Sequence, residues 1–185
     1  MSNIEKQAEL ATNIKLSFRQ RIDYSISEFG YNSIYYWISA FMAVFLTDQM
    51  GIAAGAVSFL TLFVRIFDGI NDPIIGSMAD RSVDKGKGKY KPWVRWGALA
   101  MSLSIIALFA MQASWSYTFK MIYMWVTYLL VTIFSTCCNM PFGALNGVLT
   151  SDSGERAKLS GLRMVFANVG ASWAGLIAVP LIVFF

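Results

Sequence analysis

The sequence predicts an all-α membrane protein, a bundle of about five transmembrane helices, and three observations carry that. Hydrophobic residues make up 56% and charged residues 14% of the chain, where a soluble domain would have about 25% charged. Several runs of about 18 or more mostly apolar residues occur, and they lack the period-two alternation of outer-membrane strands. The 15 Lys and Arg gather in short loops beside these runs, which is the positive-inside pattern. That distribution, rather than the net charge of +4, decides the partner class: a lipid bilayer, and no nucleic acid. The chain has no His, so imidazole metal ligation and His proton relays are excluded. Cys137 and Cys138 are adjacent in an apolar run and read as small packing residues.

In chain order, residues 1–23 are expected to form a polar cytoplasmic lead-in with Lys6, Lys15, Arg19 and Arg21. Ile14, Leu16 and Phe18 suit a short interfacial helix there. A cleavable signal would need a short apolar core and a small-residue cleavage site, and neither is present. The first span covers about residues 26–46. It is rich in aromatics (Tyr31, Tyr35, Tyr36 and Trp37 among them), with Glu28, Asn32 and Ser33 as its polar content. An outer loop over 47–51 precedes the second span, about 56–78. A basic loop over 80–93 follows, closed by Pro92, which suits a helix's first turn. Its glycines lack the GxxxxGK[ST] spacing and the strand-to-helix setting of a phosphate loop.

The third span, about 93–111, has no charge past Arg95 and reads as scaffold. After an outer loop over 113–120, the fourth span covers 121–149, with an interruption expected at Asn139-Met140-Pro141. A second basic loop over 151–160 carries Arg156 and Lys158, and the fifth span begins near Leu162. Four basic residues precede the first span, six lie between Arg81 and Arg95, and two lie in the loop at 151–160. Only Lys120 falls on the other side, so the N-terminus is expected to be cytoplasmic. Because the sequence is still apolar at Phe185, it is expected to be the N-terminal part of a longer protein.

The second span holds the costliest residues. A central Asp or Arg costs ~2.5–3.5 kcal/mol on the insertion scale, so Arg65, Asp68 and Asp72 together cost roughly 7–10 kcal/mol. Such charges mark an ion or substrate path. Asp68 and Asp72 share one helix face, with Cβ atoms ~5–6 Å apart, and Arg65 lies on the same side. Two carboxylates this close repel unless a cation or a shared proton joins them. Asn71 lies beside this face, and Pro73 frees a carbonyl near Gly69 as an oxygen ligand. Arg65 either balances the empty site or braces Asp68.

On the fourth span Thr132, Thr136 and Asn139 form a matching polar stripe, spaced four and three. Facing the second span, it completes an oxygen shell for Na⁺. Sugars need apolar faces for their CH surfaces and hydroxyl or amide partners, and Tyr31, Asn32, Tyr35, Tyr36 and Trp37 supply both. The small residues Ala167, Gly170, Ala171, Ala174 and Gly175 on the fifth span read as a close-packing face. Arg163, at its start, reads as an anchor or gate. Without His, a nucleophile–base pair or a metal-ligand cluster, an enzyme is not expected.

Gly76-Ser77-Met78-Ala79-Asp80-Arg81 resembles the loop signature between helices 2 and 3 of the major facilitator superfamily. The longer pattern is Arg65 to Pro73, Gly76, Asp80-Arg81, Gly88-Lys89 and Lys91-Pro92-Trp93, continuing through Asn139-Met140-Pro141-Phe142 to Arg163. It resembles the glycoside–pentoside–hexuronide:cation symporters, the melibiose-permease-like family. The resemblance implies the N-terminal half of a twelve-helix transporter, with residues 24–185 as a partial bundle and the C-terminal half absent. Substrate would bind between halves that alternate their access, in a bacterial inner membrane.

The family's Na⁺ site maps onto Asp68, Asp72, Asn71 and Thr136, with Thr132 at a further family position. Asp68 and Asp72 are then the metal ligands for Na⁺, with Li⁺ or H⁺ as other coupling ions and no resident cofactor. Tyr31, Asn32, Tyr35, Asn139, Glu28 and Arg163 would face the sugar, while Arg65, Asp80 and Arg81 balance charge or gate. Melibiose carriers have acids at the positions of Asn32 and Asn139, a lysine at Tyr31 and a tryptophan at Gly143. These differences leave a pentoside, glucuronide or other glycoside as the substrate, with Glu28 standing in for a missing acid. The function expected is cation-coupled symport of a sugar or glycoside, with this fragment inactive alone. The rivals are a same-fold carrier of a lipid or organic acid, and a sensor or scaffold that transports nothing.

Overall fold

The computed structural model describes residues 16–84, 86, 88–150 and 152–184, with side chains placed as far as residue 177. Five long helices follow one another: α1 (Phe18–Val44), α2 (Ala54–Arg81), α3 (Lys91–Phe109), α4 (Tyr117–Leu149) and α5 (Ser153–Phe184). No strand occurs among the described residues. On length and composition α2, α3 and α4 are apolar enough to cross a membrane. α1 and α5 have 27 and 32 residues, ample length for a bilayer at ~1.5 Å per residue. Their first turns, however, carry Arg19, Arg21 and Asp23, and Glu155, Arg156 and Lys158, which lower their hydropathy.

The helices are longer than expected wherever polar residues blurred their ends. α1 already includes residues 18–23 of the expected lead-in, and the rest of that segment, up to residue 15, lies outside the described residues. α5 starts at Ser153, nine residues before Leu162, so most of the expected loop over 151–160 is helical. There the Glu155 carboxylate, buried, takes Arg21 Nη2 at 2.7 Å and Lys158 Nζ at 3.1 Å. That charge cluster stabilises a helical turn that looks like a solvated loop in sequence. α4 is continuous through Pro141, where an interruption was expected. Proline removes one backbone hydrogen bond, and this helix continues past the loss rather than breaking.

α1 passes into a π-helical turn at Phe45–Gln49, where a loop was expected. Met50 N donates to Phe45 O at 3.0 Å and Ile52 N to Leu46 O at 2.9 Å. The widened turn leaves the Met50 carbonyl for a side-chain donor, and buried Lys120 supplies it at 2.7 Å. Lys120 is thus a structural cap for this turn.

The described residues form two compact units. The first comprises the chain up to Ala40 together with Leu145–Phe185, and the second comprises Phe41–Ala144. In the first, α5 lies against α1 with almost no space between backbones. A Cβ on Gly170 would collide with the Phe29 carbonyl oxygen and come within 2.9 Å of its Cα. Ser33 Oγ donates across the same contact to Gly170 O at 3.0 Å, and Ala174 is buried beside it. The small-residue face is therefore a packing face.

In the second unit Gly97 of α3 does the same against α4. A Cβ there would lie 2.9 Å from Cys138 N and 3.0 Å from the Cys137 carbonyl carbon, so the cysteine pair marks a close helix crossing. Overpacking such contacts costs about 1–3 kcal/mol. Gly170→Ala and Gly97→Ala are accordingly expected to lower the unfolding temperature of the purified protein measurably. Gly161→Ala, where a Cβ meets open space, is expected to leave it unchanged.

Candidate functional site

The charged stripe of α2 lies in the second unit, held by packing on either side. Val64, Asn71, Ile75 and Ala79 face inward and are buried, and Phe59 and Phe63 rest on Trp125 of α4, with centroids 5.9 and 5.2 Å away. This rotation leaves Asp68 and Asp72 half-buried and Arg65 exposed. Arg65 makes no ion pair among the described residues, so it does not brace Asp68 as a closed pair.

Asp72 has a partner on α4. Thr136 Oγ1 donates to Asp72 Oδ1 at 3.0 Å and also lies 3.2 Å from Thr132 O, its own helix's carbonyl. Thr132 and Thr136 are both buried. Of the stripe expected on α4, Thr136 therefore meets α2, and Thr132 lies buried one helical turn before it on the same face.

Asn71 is 8% exposed, and its side-chain Nδ2 has no hydrogen-bond partner among the described residues. A buried amide left unpaired costs about 1–3 kcal/mol. Turning the amide over puts its oxygen at the orphaned position, so Asn71 presents either a donor or an acceptor there. The Asp72 carboxylate, the Thr136 hydroxyl and the Thr132 carbonyl are brought together, while Asp68 and Asn71 lie near on α2, outside those hydrogen bonds, and all of these carry hard oxygen donors. Such oxygens suit an alkali cation rather than a soft metal. No group of three or more His, Cys, Asp or Glu able to hold a metal occurs among the described residues. Asn139, further along the same helix, is half-buried.

At the end of α2, Asp80 accepts a hydrogen bond from the Tyr90 hydroxyl at 2.6 Å. That bond, then burial and the Asp80 charge, holds the Tyr90 phenol above its ordinary range. Arg81 is exposed. Nearby, Gly86 (φ 81°) and Gly88 (φ 83°) adopt left-handed backbone, a region glycine enters without steric penalty. Both their amides reach Asp84 Oδ1, at 2.8 and 3.0 Å. The glycines of the basic loop thus make a tight carboxylate-centred turn.

The first unit holds a different cluster. Glu28 of α1 is buried and forms an ion pair with Arg163 of α5, whose Nε also donates to Glu28 Oε1 at 2.8 Å. Asn32, one turn on, donates from Nδ2 to Glu28 Oε2 at 3.0 Å and to its carbonyl at 2.9 Å. The guanidinium stands over the Tyr24 ring at 5.5 Å from the centroid. Tyr31 and Tyr35 stack, with centroids 6.2 Å apart and planes at 14°, and Tyr35 is exposed. Asn32, Glu28 and Arg163 are therefore one network, beside the stacked tyrosines. Tyr24 was missed in sequence, although 24, 28 and 32 are spaced one helical turn apart.

Comparison with known proteins follows from this architecture. The chain is 35% identical over 167 residues to the inner membrane symporter YicJ of Escherichia coli K12, covering 90% of this chain and 36% of that protein. It is 31% identical over 168 residues to a putative glycoside/cation symporter, YagG, of the same organism, covering 91% of this chain and 36% of that protein. With an isoprimeverose transporter of Lactiplantibacillus pentosus it shares 31% identity over 166 residues, or 90% of this chain and 34% of the transporter. The chain thus spans about a third of the length of these relatives. Apolar helices and relatives of this kind make it an integral membrane protein of the major facilitator superfamily. The family described as MFS/sugar transport protein matches residues 24–185, and the chain belongs to it.

Proposed function

We propose that this chain is part of a symporter that couples a cation, Na⁺ or H⁺, to the entry of a glycoside or pentoside. The observation that carries this reading is the Thr136–Asp72 hydrogen bond of 3.0 Å. It joins two polar stripes in the interior of an otherwise apolar helix pair, beside the unpaired buried amide of Asn71. Such polar groups in a bilayer are expensive and are retained for function.

In this proposal Asp68 and Asp72 supply charge, and Thr136, Thr132 and Asn71 supply neutral oxygens. With the site empty, the two carboxylates repel each other. An entering Na⁺, or a shared proton, removes that repulsion and lets the Thr136 hydroxyl turn a lone pair inward. The cation draws α2 and α4 together, and the ordered state is the one with higher sugar affinity. The stacked Tyr31 and Tyr35 offer an apolar platform to the sugar ring, while Asn32 of the same helix offers its amide oxygen to a sugar hydroxyl. Arg163, neutralised by Glu28, favours an uncharged sugar over a uronate. The printed names of two relatives, a glycoside/cation symporter and an isoprimeverose transporter, support the class.

Uptake into proteoliposomes that hold the full-length transporter tests this, using radiolabelled methyl xyloside, methyl glucuronide and methyl galactoside. The expected result is xyloside accumulation driven by an inward Na⁺ or proton gradient, with little glucuronide uptake. Accumulation of none of them above the gradient-free control overturns the reading.

A further inference from the structure

The basic loop side of α3 carries a feature that cation and sugar binding do not use. A cleft of about 380 Å³ opens there, lined by Trp93, Trp96, Gly97 and Ala100 of α3 and by Phe134 and Cys137 of α4. Its wall is almost entirely apolar. A second hollow of about 380 Å³ shares Trp96 and is bordered by Arg95 and Ser102. Arg95 and Lys91 are exposed at this end of α3, and neither makes an ion pair with a described residue. Trp96 is 66% exposed.

We infer that this end of α3 binds an anionic phospholipid from the leaflet that meets the basic loop. Gly97 explains the cleft: with no Cβ, it lets α3 and α4 touch backbone to backbone, and Trp93, Trp96 and Phe134 stand up as walls around the gap. The cleft is an acyl-chain channel by composition, since it offers almost no polar atom to a sugar. Arg95 borders the adjoining hollow that shares Trp96, and Lys91 is exposed one helical turn before it on α3, so the cations at this end of the helix complement a phosphate rather than a zwitterion. Tryptophan and Lys/Arg together are the residues that settle at the level of lipid headgroups. Basic pockets on the positive side of a membrane protein hold anionic headgroups by the same electrostatics. Each of the two cations is worth roughly five-fold in preference for an anionic lipid near the surface.

Tryptophan quenching by brominated lipid tests the inference in the protein reconstituted into nanodiscs. Brominated phosphatidylglycerol and brominated phosphatidylcholine are compared at equal mole fraction, and the Trp93/Trp96 contribution is isolated by subtracting a W93F/W96F variant. The expected result is half-maximal quenching at a mole fraction of phosphatidylglycerol at least ten-fold lower than for phosphatidylcholine. That preference is expected to collapse in K91Q/R95Q. Equal quenching by both lipids would show ordinary bilayer exposure and overturn the inference. Quenching by neither would show the cleft covered by protein and overturn it as well. The lipid comparison itself is made on protein that keeps Lys91 and Arg95, so poor folding of K91Q/R95Q does not rescue the idea.

Discussion

Asp72→Asn is expected to abolish cation-stimulated uptake while leaving the protein folded. The substitution is nearly isosteric and keeps an acceptor for Thr136, so the α2–α4 hydrogen bond survives. It removes one of two negative charges, and a lone Asp68 neither repels a neighbour nor attracts a cation as strongly. Gradient-driven accumulation should fall to the level of facilitated leak, measured as uptake with and without an imposed Na⁺ or proton gradient. Thr136→Val is expected to act more mildly. It removes one neutral oxygen, worth about 1–2 kcal/mol, so the cation dissociation constant should rise about ten-fold with coupling retained. A pattern in which Thr136→Val matters more than Asp72→Asn would point to a packing role for the stripe.

The second large effect concerns Glu28. Its carboxylate and the Arg163 guanidinium are 9% and 20% exposed as side chains, so Glu28 has little water to fall back on and Arg163 only some. Breaking a buried pair by removing one partner costs about 3–5 kcal/mol, whereas removing both charges costs less. Glu28→Gln alone should therefore lower stability by about 3 kcal/mol, toward the low end because Arg163 is partly exposed. Glu28→Gln with Arg163→Gln should be less damaging than the sum of the singles, a coupling readable from a double-mutant cycle of thermal unfolding. Additivity would mean that the pair contributes little in the membrane.

Much of the fold was legible in the sequence because a membrane helix advertises itself by length and apolarity. α3 was placed within two residues at each end, since Pro92 opens it and nothing polar confuses it. α5 was not, because a helical first turn rich in Glu155, Arg156 and Lys158 looks like a loop until Arg21 is seen to pair with Glu155. The π-turn at Phe45–Gln49 was invisible for a similar reason: its carbonyl partner, Lys120, lies 70 residues on. Pro141 misled in the other direction, since a proline marks a lost hydrogen bond and not the end of a helix.

Among the candidate site residues, the contact between Asp72 and Thr136 was legible because their chemistry is out of place in a bilayer and their spacing fixes a face. The Glu28–Arg163 pair was not, because the two residues lie 135 positions apart. Each looked like a free group awaiting a substrate. Arg65 was ambiguous in sequence, and the structure narrows it: it is exposed on α2 and outside any ion pair among the described residues.

The most direct test of the central claim is reciprocal binding at equilibrium. Linkage requires that a cation which raises sugar affinity by some factor have its own affinity raised by sugar by that same factor. The two are measured separately, the first by methyl xyloside titration with and without saturating Na⁺, the second by Na⁺ titration with and without saturating xyloside. A coupled site with a free energy of about 1–3 kcal/mol predicts matching factors of roughly 5–150-fold, both lost in Asp72→Asn. Sugar affinity unchanged by Na⁺, by Li⁺ and by acid pH would contradict the account.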